Sequence, residues 1–255
     1  MPTNLWTRNE LILAIKLYCE LPFGKIHSRN PEIIKLAALI GRTPSAVSLK
    51  LTNFASFDPS LQERNIKGMR NTGKLDKEIW DEFYNDWEFL TYKSAELQSN
   101  FEEEPLEKLY NLHEEDLPKE GKERERVIKA RVNQRFFRSA VLASYNSTCC
   151  ITGLHDPNLL IAGHIIPWAE DIKNRLNPRN GLCLNALHDR AYEYGLITIT
   201  PDYKLRVSKI LKNKKDEVVN EFFLKYEDKE IKLPSKFLPD KNLLEMHNAR
   251  FYEQY

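Results

Sequence analysis

Three polar residues, each standing where an apolar run meets a turn or a helix, constrain this chain more than any other feature. Leu159 to His164 reads as an apolar strand that ends in histidine. Asn180-Gly181 is a turn signal, because both residue types tolerate the backbone angles a tight turn needs. Leu182 to Leu184 reads as a short strand, and Asn185 to Tyr194 as a helix that carries His188-Asp189. The separations His164 to Asn180 and Asn180 to His188 are 16 and 8 residues. A hairpin closed over that distance brings the strand ends together, and the helix after it packs across them. Taken singly, each residue also has a plain structural reading: a satisfied core histidine, a turn asparagine, a surface histidine.

Taken together they suit a compact metal-assisted nuclease site. Phosphodiester hydrolysis needs a base that makes a nucleophile of water and a cation that neutralises charge at the scissile phosphate. Imidazole serves as either a base or a ligand near neutral pH.

The rest of the chain sets bounds. Its 255 residues make one or two domains, each able to bury a core. No apolar run reaches the roughly 18 residues of a membrane span, so no membrane is expected. Met1 to Thr7 lack a basic and then apolar signal segment, so the expected compartment is the cytoplasm. With 38 Lys+Arg against 37 Asp+Glu, net charge gives no nucleic-acid signal, and any basic surface must be local. Cys19, Cys149, Cys150 and Cys183 form no CxxC pair. They are expected as small buried apolar residues rather than disulfides or a structural zinc site, which would want a fourth ligand.

Residues 1–98 are expected to be helical. Thr7 and Glu10 form a capping box before Leu11, Leu13, Ala14, Leu17, Tyr18 and Leu21. Asn30-Pro31 and Thr43-Pro44 open two further helices, each with a capping residue and proline at the first helical position. A fourth is expected from Asp76 to near Leu97, burying Ile79, Trp80, Phe83, Tyr84 and Trp87. Residues 99–121 are expected to be an acidic linker: Glu102, Glu103, Glu104, Glu107, Glu114, Glu115, Asp116 and Glu120 face only Lys108 and Lys119. A basic helix opens the expected last domain, 122–255. Lys122, Arg124, Arg126, Lys129, Arg131, Arg135 and Arg138 accompany an apolar face of Val127, Ala130, Val132, Phe136, Phe137, Ala140 and Val141. A hairpin around Pro201-Asp202, a helix near 216–223, a short strand near Ile231 and a final helix at 240–253 follow.

Cys150-Ile-Thr-Gly153, Ala162-Gly-His-Ile-Ile-Pro-Trp168, Asn180-Gly-Leu-Cys-Leu184 and His188-Asp-Arg-Ala-Tyr192 resemble the HNH endonuclease family of ββα-metal fold, in particular the HNH domain of bacterial restriction-type enzymes. The resemblance covers about residues 135–210. It implies that His164 is the general base, that Asn180 orients the loop carrying it, and that His188 binds the divalent ion, Mg²⁺ before Mn²⁺ or another transition metal. It also implies 5′-phosphate and 3′-hydroxyl products. Two positions depart from the family's pattern. Gly163 stands where many members place an Asp or His ligand, and Tyr192 where some have a histidine. His155, Asp156, Asp189 and Glu193 are each candidates for a further ligand. Arg175, Arg179 and Arg190 flank the motif and suit phosphate contacts, because their forked donors match its oxygens.

Ala37, Gly41 and Val47 stand at helix-turn-helix spacing, and the segment resembles a helix-turn-helix or winged-helix module. Ser45, Ser48, Lys50, Thr52 and Asn53 would face outward from its second helix, as residue types that reach bases or phosphates. Lys50 departs from the pattern, which has an apolar residue there. The expected protein is α+β: an all-helical DNA-binding module followed by a ββα-metal HNH domain. Its expected activity is metal-dependent cleavage of double-stranded DNA, in restriction or defence, by a homodimer. A DNA-binding regulator or assembly protein with an inactive HNH remnant is the first alternative, and an RNA-directed or structure-specific nuclease the second.

Overall fold

The computed structural model describes residues 5–65, 72–119, 121–214, 216–251 and 253, with the backbone alone of Glu114. The chain divides into two compact units, Met1–Ala140 and Val141–Tyr255.

The first unit is helical. Its centre is α1 (Arg8–Glu20), begun by the Thr7–Glu10 capping box. Leu11 through Ile15 are all buried, with Tyr18 and Cys19. A helix apolar on every side must be surrounded, and α1 packs against α2 (Pro31–Leu39), α3 (Pro44–Ala55), α5 (Lys74–Asn85) and α6 (Trp87–Glu102). The short α4 (Pro59–Glu63) follows α3, and its cap Asp58 accepts a hydrogen bond from the buried Tyr18 hydroxyl at 3.3 Å. Between α2 and α3 the chain turns at Gly41, whose φ of +67° is one that glycine adopts without strain. Arg42 N–H there donates to Ala37 O at 2.8 Å, closing the end of α2. Ala37 and Val47 are buried at this junction.

Two elements of the first unit differ from the sequence expectation. The single helix expected over 76–97 is two helices broken at Asp86. Its carboxylate accepts from Phe89 N–H at 3.0 Å and so starts α6 afresh. The break lets Trp80, Tyr84 and Trp87 lie within one aromatic cluster with Tyr18 and Phe54. The acidic stretch expected as a linker is folded into the first unit. It contains α7 (Leu106–Leu109), and Leu106, Tyr110 and Leu112 pack on a core of Ala95, Leu117, Ile128 and Val132. Enough apolar side chains stand among the acidic ones to bury a face, and Arg124 pairs with Glu107 at 2.9 Å. Glu120 of that stretch lies outside the described residues. The basic helix α8 (Gly121–Ser144) then buries Val132, Phe136, Phe137, Ala140 and Val141, with Val127 and Ala130 partly buried. The division between the units falls inside it, after Ala140, and not at 122, the expected opening of the last domain.

The second unit holds the strands. β1 (Leu160–His164) pairs antiparallel with β2 (Gly181–Asn185), with His164 opposite Gly181 and Gly163 opposite Leu182. Asn185 caps α9 (Ala186–Glu193), which packs back on β1 and β2. A second hairpin, β3 (Ile197–Ile199) with β4 (Leu205–Val207), follows, then α10 (Lys209–Lys212), α11 (Glu217–Phe222) and α12 (Lys241–Arg250). Near Ile231 there is no strand. An isolated bridge, Lys204 to Glu230, stands there, while Ile231 N–H donates to Tyr203 O at 2.9 Å. All four cysteines are buried thiols. Among the described residues no helix is long and apolar enough to cross a membrane.

Candidate active site

β1 carries His164 as its last residue, at the end of the hairpin where Gly181 stands opposite it. From there the loop 165–180 is tied to one side chain. Asn180 has no exposed surface. Its Oδ1 accepts from Ile166 N–H at 2.8 Å, and its Nδ2 donates to Ile166 O at 3.0 Å and to Asn174 O at 3.2 Å. Its own carbonyl accepts from Ile165 N–H at 2.9 Å. A buried amide satisfied in this way fixes the chain leaving His164 as a short extension of the sheet would.

His164 is half-buried. Its Nε2 lies 2.9 Å from Arg175 O. A carbonyl only accepts, so Nε2 carries the proton and the basic lone pair of the neutral ring is on Nδ1. Trp168 stands edge-on to the imidazole at 5.7 Å, and the Arg175 guanidinium lies 5.3 Å over the Trp168 ring. Burial lowers the pKa of His164, against the opposing effect of the Arg175 carbonyl. The neutral, proton-accepting form is therefore favoured.

His188 occupies a different environment. It has no exposed surface. Nε2 stands 2.8 Å from Phe222 O and Nδ1 2.9 Å from Asn185 Oδ1, the oxygen that also caps the backbone N–H of His188; both oxygens are acceptors, so the neutral ring donates to one of them. Phe223 and Tyr226 pack on the ring at 5.4 and 5.9 Å. Burial lowers its pKa too. Either nitrogen would have to give up its contact before it could bind an ion, so His188 as placed does not fit the ligand role that the resemblance gives it. The phase of α9 explains this: His188, Ala191 and Tyr192, at i, i+3 and i+4, form the buried face. That periodicity is present in the sequence.

One residue on, α9 presents Asp189 to the cleft that His164 also lines, together with Gly163, Trp168, Tyr192 and His247. A methyl group on Gly163 would stand 2.3 Å from Asp189 Oδ1. Asp189 makes no hydrogen bond or ion pair with a described residue, and burial, with the nearby Glu193 charge, raises its pKa to about 6. The other three candidate ligands are engaged elsewhere. Asp156 caps the turn at Asn158, His155 meets Thr148 Oγ1 at 3.2 Å, and Glu193 pairs with Arg190 at 2.8 Å. Among the described residues no three His, Cys, Asp or Glu side chains form a ready ligand set.

The three arginines divide. Arg175 supplies its carbonyl to His164 and its guanidinium to Trp168. Arg179 donates to Leu238 O and pairs with Asp240, the cap of α12, at 3.2 Å, so its guanidinium is already engaged by the protein. Arg190 is exposed beside Glu193 and Tyr194. Two cleft residues carry no motif signal and come from the C-terminal segment. His247 stacks on Tyr192 with centroids 3.9 Å apart, and Arg250 donates to both carboxylate oxygens of Glu170 at 2.9 and 3.0 Å.

In the first unit, Ser45 is exposed and Ser48 half-buried on α3. Lys50 and Asn53 do not face outward as expected. Lys50 Nζ reaches both oxygens of Asp76 at 2.8 Å, with the two side chains 11% and 3% exposed. Asn53 is buried. Lys50 spans the gap to α5 because Asp76 also caps that helix through Gly73 N–H, which accounts for a lysine at an otherwise apolar position.

Residues 149–200 match a family model described as HNH endonuclease. The match takes in β1, β2, α9 and β3, and with them His164, Asn180 and His188. The second unit thus carries an HNH endonuclease domain, in an α+β chain whose N-terminal region is helical. No curated protein matches the chain.

Proposed function

We propose that this protein is a divalent-metal-dependent endonuclease that hydrolyses phosphodiester bonds of double-stranded DNA. The observation that carries this reading is His164. It ends β1 in an open cleft, with its tautomer set by Arg175 O and its neutral form favoured by burial. In the proposed reaction a water gives its proton to His164 Nδ1 while its oxygen attacks phosphorus. The bond to the 3′ oxygen breaks, leaving a 5′-phosphate and a 3′-hydroxyl. Asn180 keeps His164 in place by holding Ile166. A bound divalent ion would supply charge neutralisation at the phosphate and the leaving oxygen. Exposed Ser45 and the neighbouring surface of α3 would meet DNA, and two copies would serve two strands. A role in restriction or defence fits such an activity.

A second reading is favoured by one observation: the buried ring of His188, with a protein oxygen against each nitrogen, is what an inactive HNH remnant in a DNA-binding protein would retain. The test is incubation of the protein with plasmid, single-stranded DNA and RNA in Mg²⁺, Mn²⁺ and EDTA, with chemical identification of the ends. Duplex cleavage lost in EDTA and leaving 5′-phosphates supports the endonuclease. Binding without cleavage in every metal supports the remnant, and preferential cleavage of RNA or single strands replaces the proposed substrate.

A further inference from the structure

We infer that the residue of α9 that works at the reaction centre is Asp189, which holds the divalent cation, and that His188 is a structural residue. This rests on the endonuclease reading above. Four observations converge. Asp189 and His164 line the same cleft from two different elements. The Asp189 carboxylate lies directly over Gly163, the residue before His164, in space that any side chain at 163 would fill. It has no protein partner among the described residues, although a half-buried carboxylate costs free energy unless something pairs with it. His188, one position away and about 100° round the helix, has both nitrogens against protein oxygens and no exposed surface.

The chemistry of the surroundings agrees. The other carboxylates of the cleft are already paired, Glu193 with Arg190 and Glu170 with Arg250. Among the described residues no arginine or lysine forms an ion pair with Asp189, although the Arg190 charge nearby acts on it. Hard cations such as Mg²⁺ and Mn²⁺ are commonly held by one or two carboxylates, with substrate phosphate and water completing the shell. One such oxygen beside a histidine base is therefore a sufficient protein contribution. Gly163 is then a requirement of the site, because the carboxylate reaches it from the helix through the space a side chain would occupy.

The experiment is a Mn²⁺ titration of the DNA-free protein, followed by thermal melting and by calorimetry, for the wild type, Asp189→Asn, Gly163→Ala and His188→Asn. A ligand that binds only the folded state raises the melting temperature in proportion to its affinity. The wild type should respond to Mn²⁺. Asp189→Asn should melt cooperatively yet bind Mn²⁺ at least about tenfold more weakly, as should Gly163→Ala, whose methyl displaces the carboxylate. His188→Asn should melt lower without metal and keep the Mn²⁺ response. An unchanged Mn²⁺ affinity in Asp189→Asn, no response in the wild type, or loss of the response in a folded His188→Asn would each overturn the inference. Should His188→Asn not fold, His188→Gln takes its place, and the Asp189→Asn result stands by itself. Mn²⁺ binding that depends on Asp189 in a protein that cuts no nucleic acid would retain this site and remove the endonuclease reading.

Discussion

Asn180 holds Ile166 by both of its main-chain groups, accepting from the N–H at 2.8 Å and donating to the carbonyl at 3.0 Å. The asparagine thus stands in for a strand, two residues past the proposed base. Asn180→Ala should leave those two groups and Asn174 O without their partner inside the protein. Each buried unpaired group costs about 1–3 kcal/mol. The expected outcome is a loss of at least about 2 kcal/mol in urea unfolding, with a larger fall in kcat than in substrate affinity, because the loop that places His164 loosens. An Asn180→Ala protein with wild-type stability would count against this.

His188 should behave as a core residue. His188→Ala removes the ring nitrogens that stand against Phe222 O and Asn185 Oδ1 and the ring that Phe223 and Tyr226 pack on. A loss of about 2–4 kcal/mol is expected from the cavity and the unpaired oxygen together. Denaturant melts at neutral pH check this. A variant as stable as the wild type would mean that the buried ring contributes little.

Stability should also fall in mild acid, and His247 should be a main reason. Burial between Tyr192 and Phe251 lowers its pKa to about 4, from an ordinary 6.5. Between those values the unfolded chain binds a proton that the folded one does not, so stability is full above about pH 6.5 and declines as pH falls toward 4. The whole effect is about 3 kcal/mol. His164 and His188 act in the same direction, and Asp189, with its raised pKa, in the opposite one. Urea midpoints from pH 7 to 4 should slope less steeply for His247→Gln than for the wild type. Identical slopes would remove His247 as a cause.

Lys50 should matter to folding and not to DNA contact. Lys50→Met leaves Asp76, 3% exposed, without its cation, and breaking a buried pair from one side costs about 3–5 kcal/mol. Unfolding of the first unit should move accordingly. Ser45→Glu, on the exposed part of α3, should leave stability unchanged and weaken DNA binding in a gel shift. The reverse pattern would place Lys50 on the binding surface.

The sequence carried much of this arrangement, for local reasons. Thr7, Asn30, Thr43 and Asn185 are capping residues whose side chains accept from their own helix's first turn, so they announce helix starts without tertiary help. The strand ending at His164, the Asn180 turn and the following helix are legible from an apolar run, turn chemistry and capping. The direction in which α9 faces depends on its packing partners, although His188, Ala191 and Tyr192 share the period of a buried face. A motif names residues, and a helix rotates about 100° between neighbours, so His188 and Asp189 part company only once the packing partners are known. Those partners, Phe222 to Tyr226, lie well downstream in a segment with no motif. Asp86 was read through because Trp80, Phe83 and Trp87 continue a helical period across it. The acidic stretch 99–121 reads as a linker because its charges mask Leu106, Tyr110 and Leu112. Lys50 was placed outward by its charge, since its partner Asp76 is 26 residues away.

The central claim is that His164 takes the proton of the attacking water, and a single-turnover comparison of wild type and His164→Ala on supercoiled plasmid in Mn²⁺ tests it most directly. A gel shift on the same duplex is run alongside. The account predicts that His164→Ala binds the duplex as the wild type does and cuts at least about 100-fold more slowly, the usual contribution of a positioned base. A His164→Ala protein that binds and cuts at the wild-type rate would contradict it.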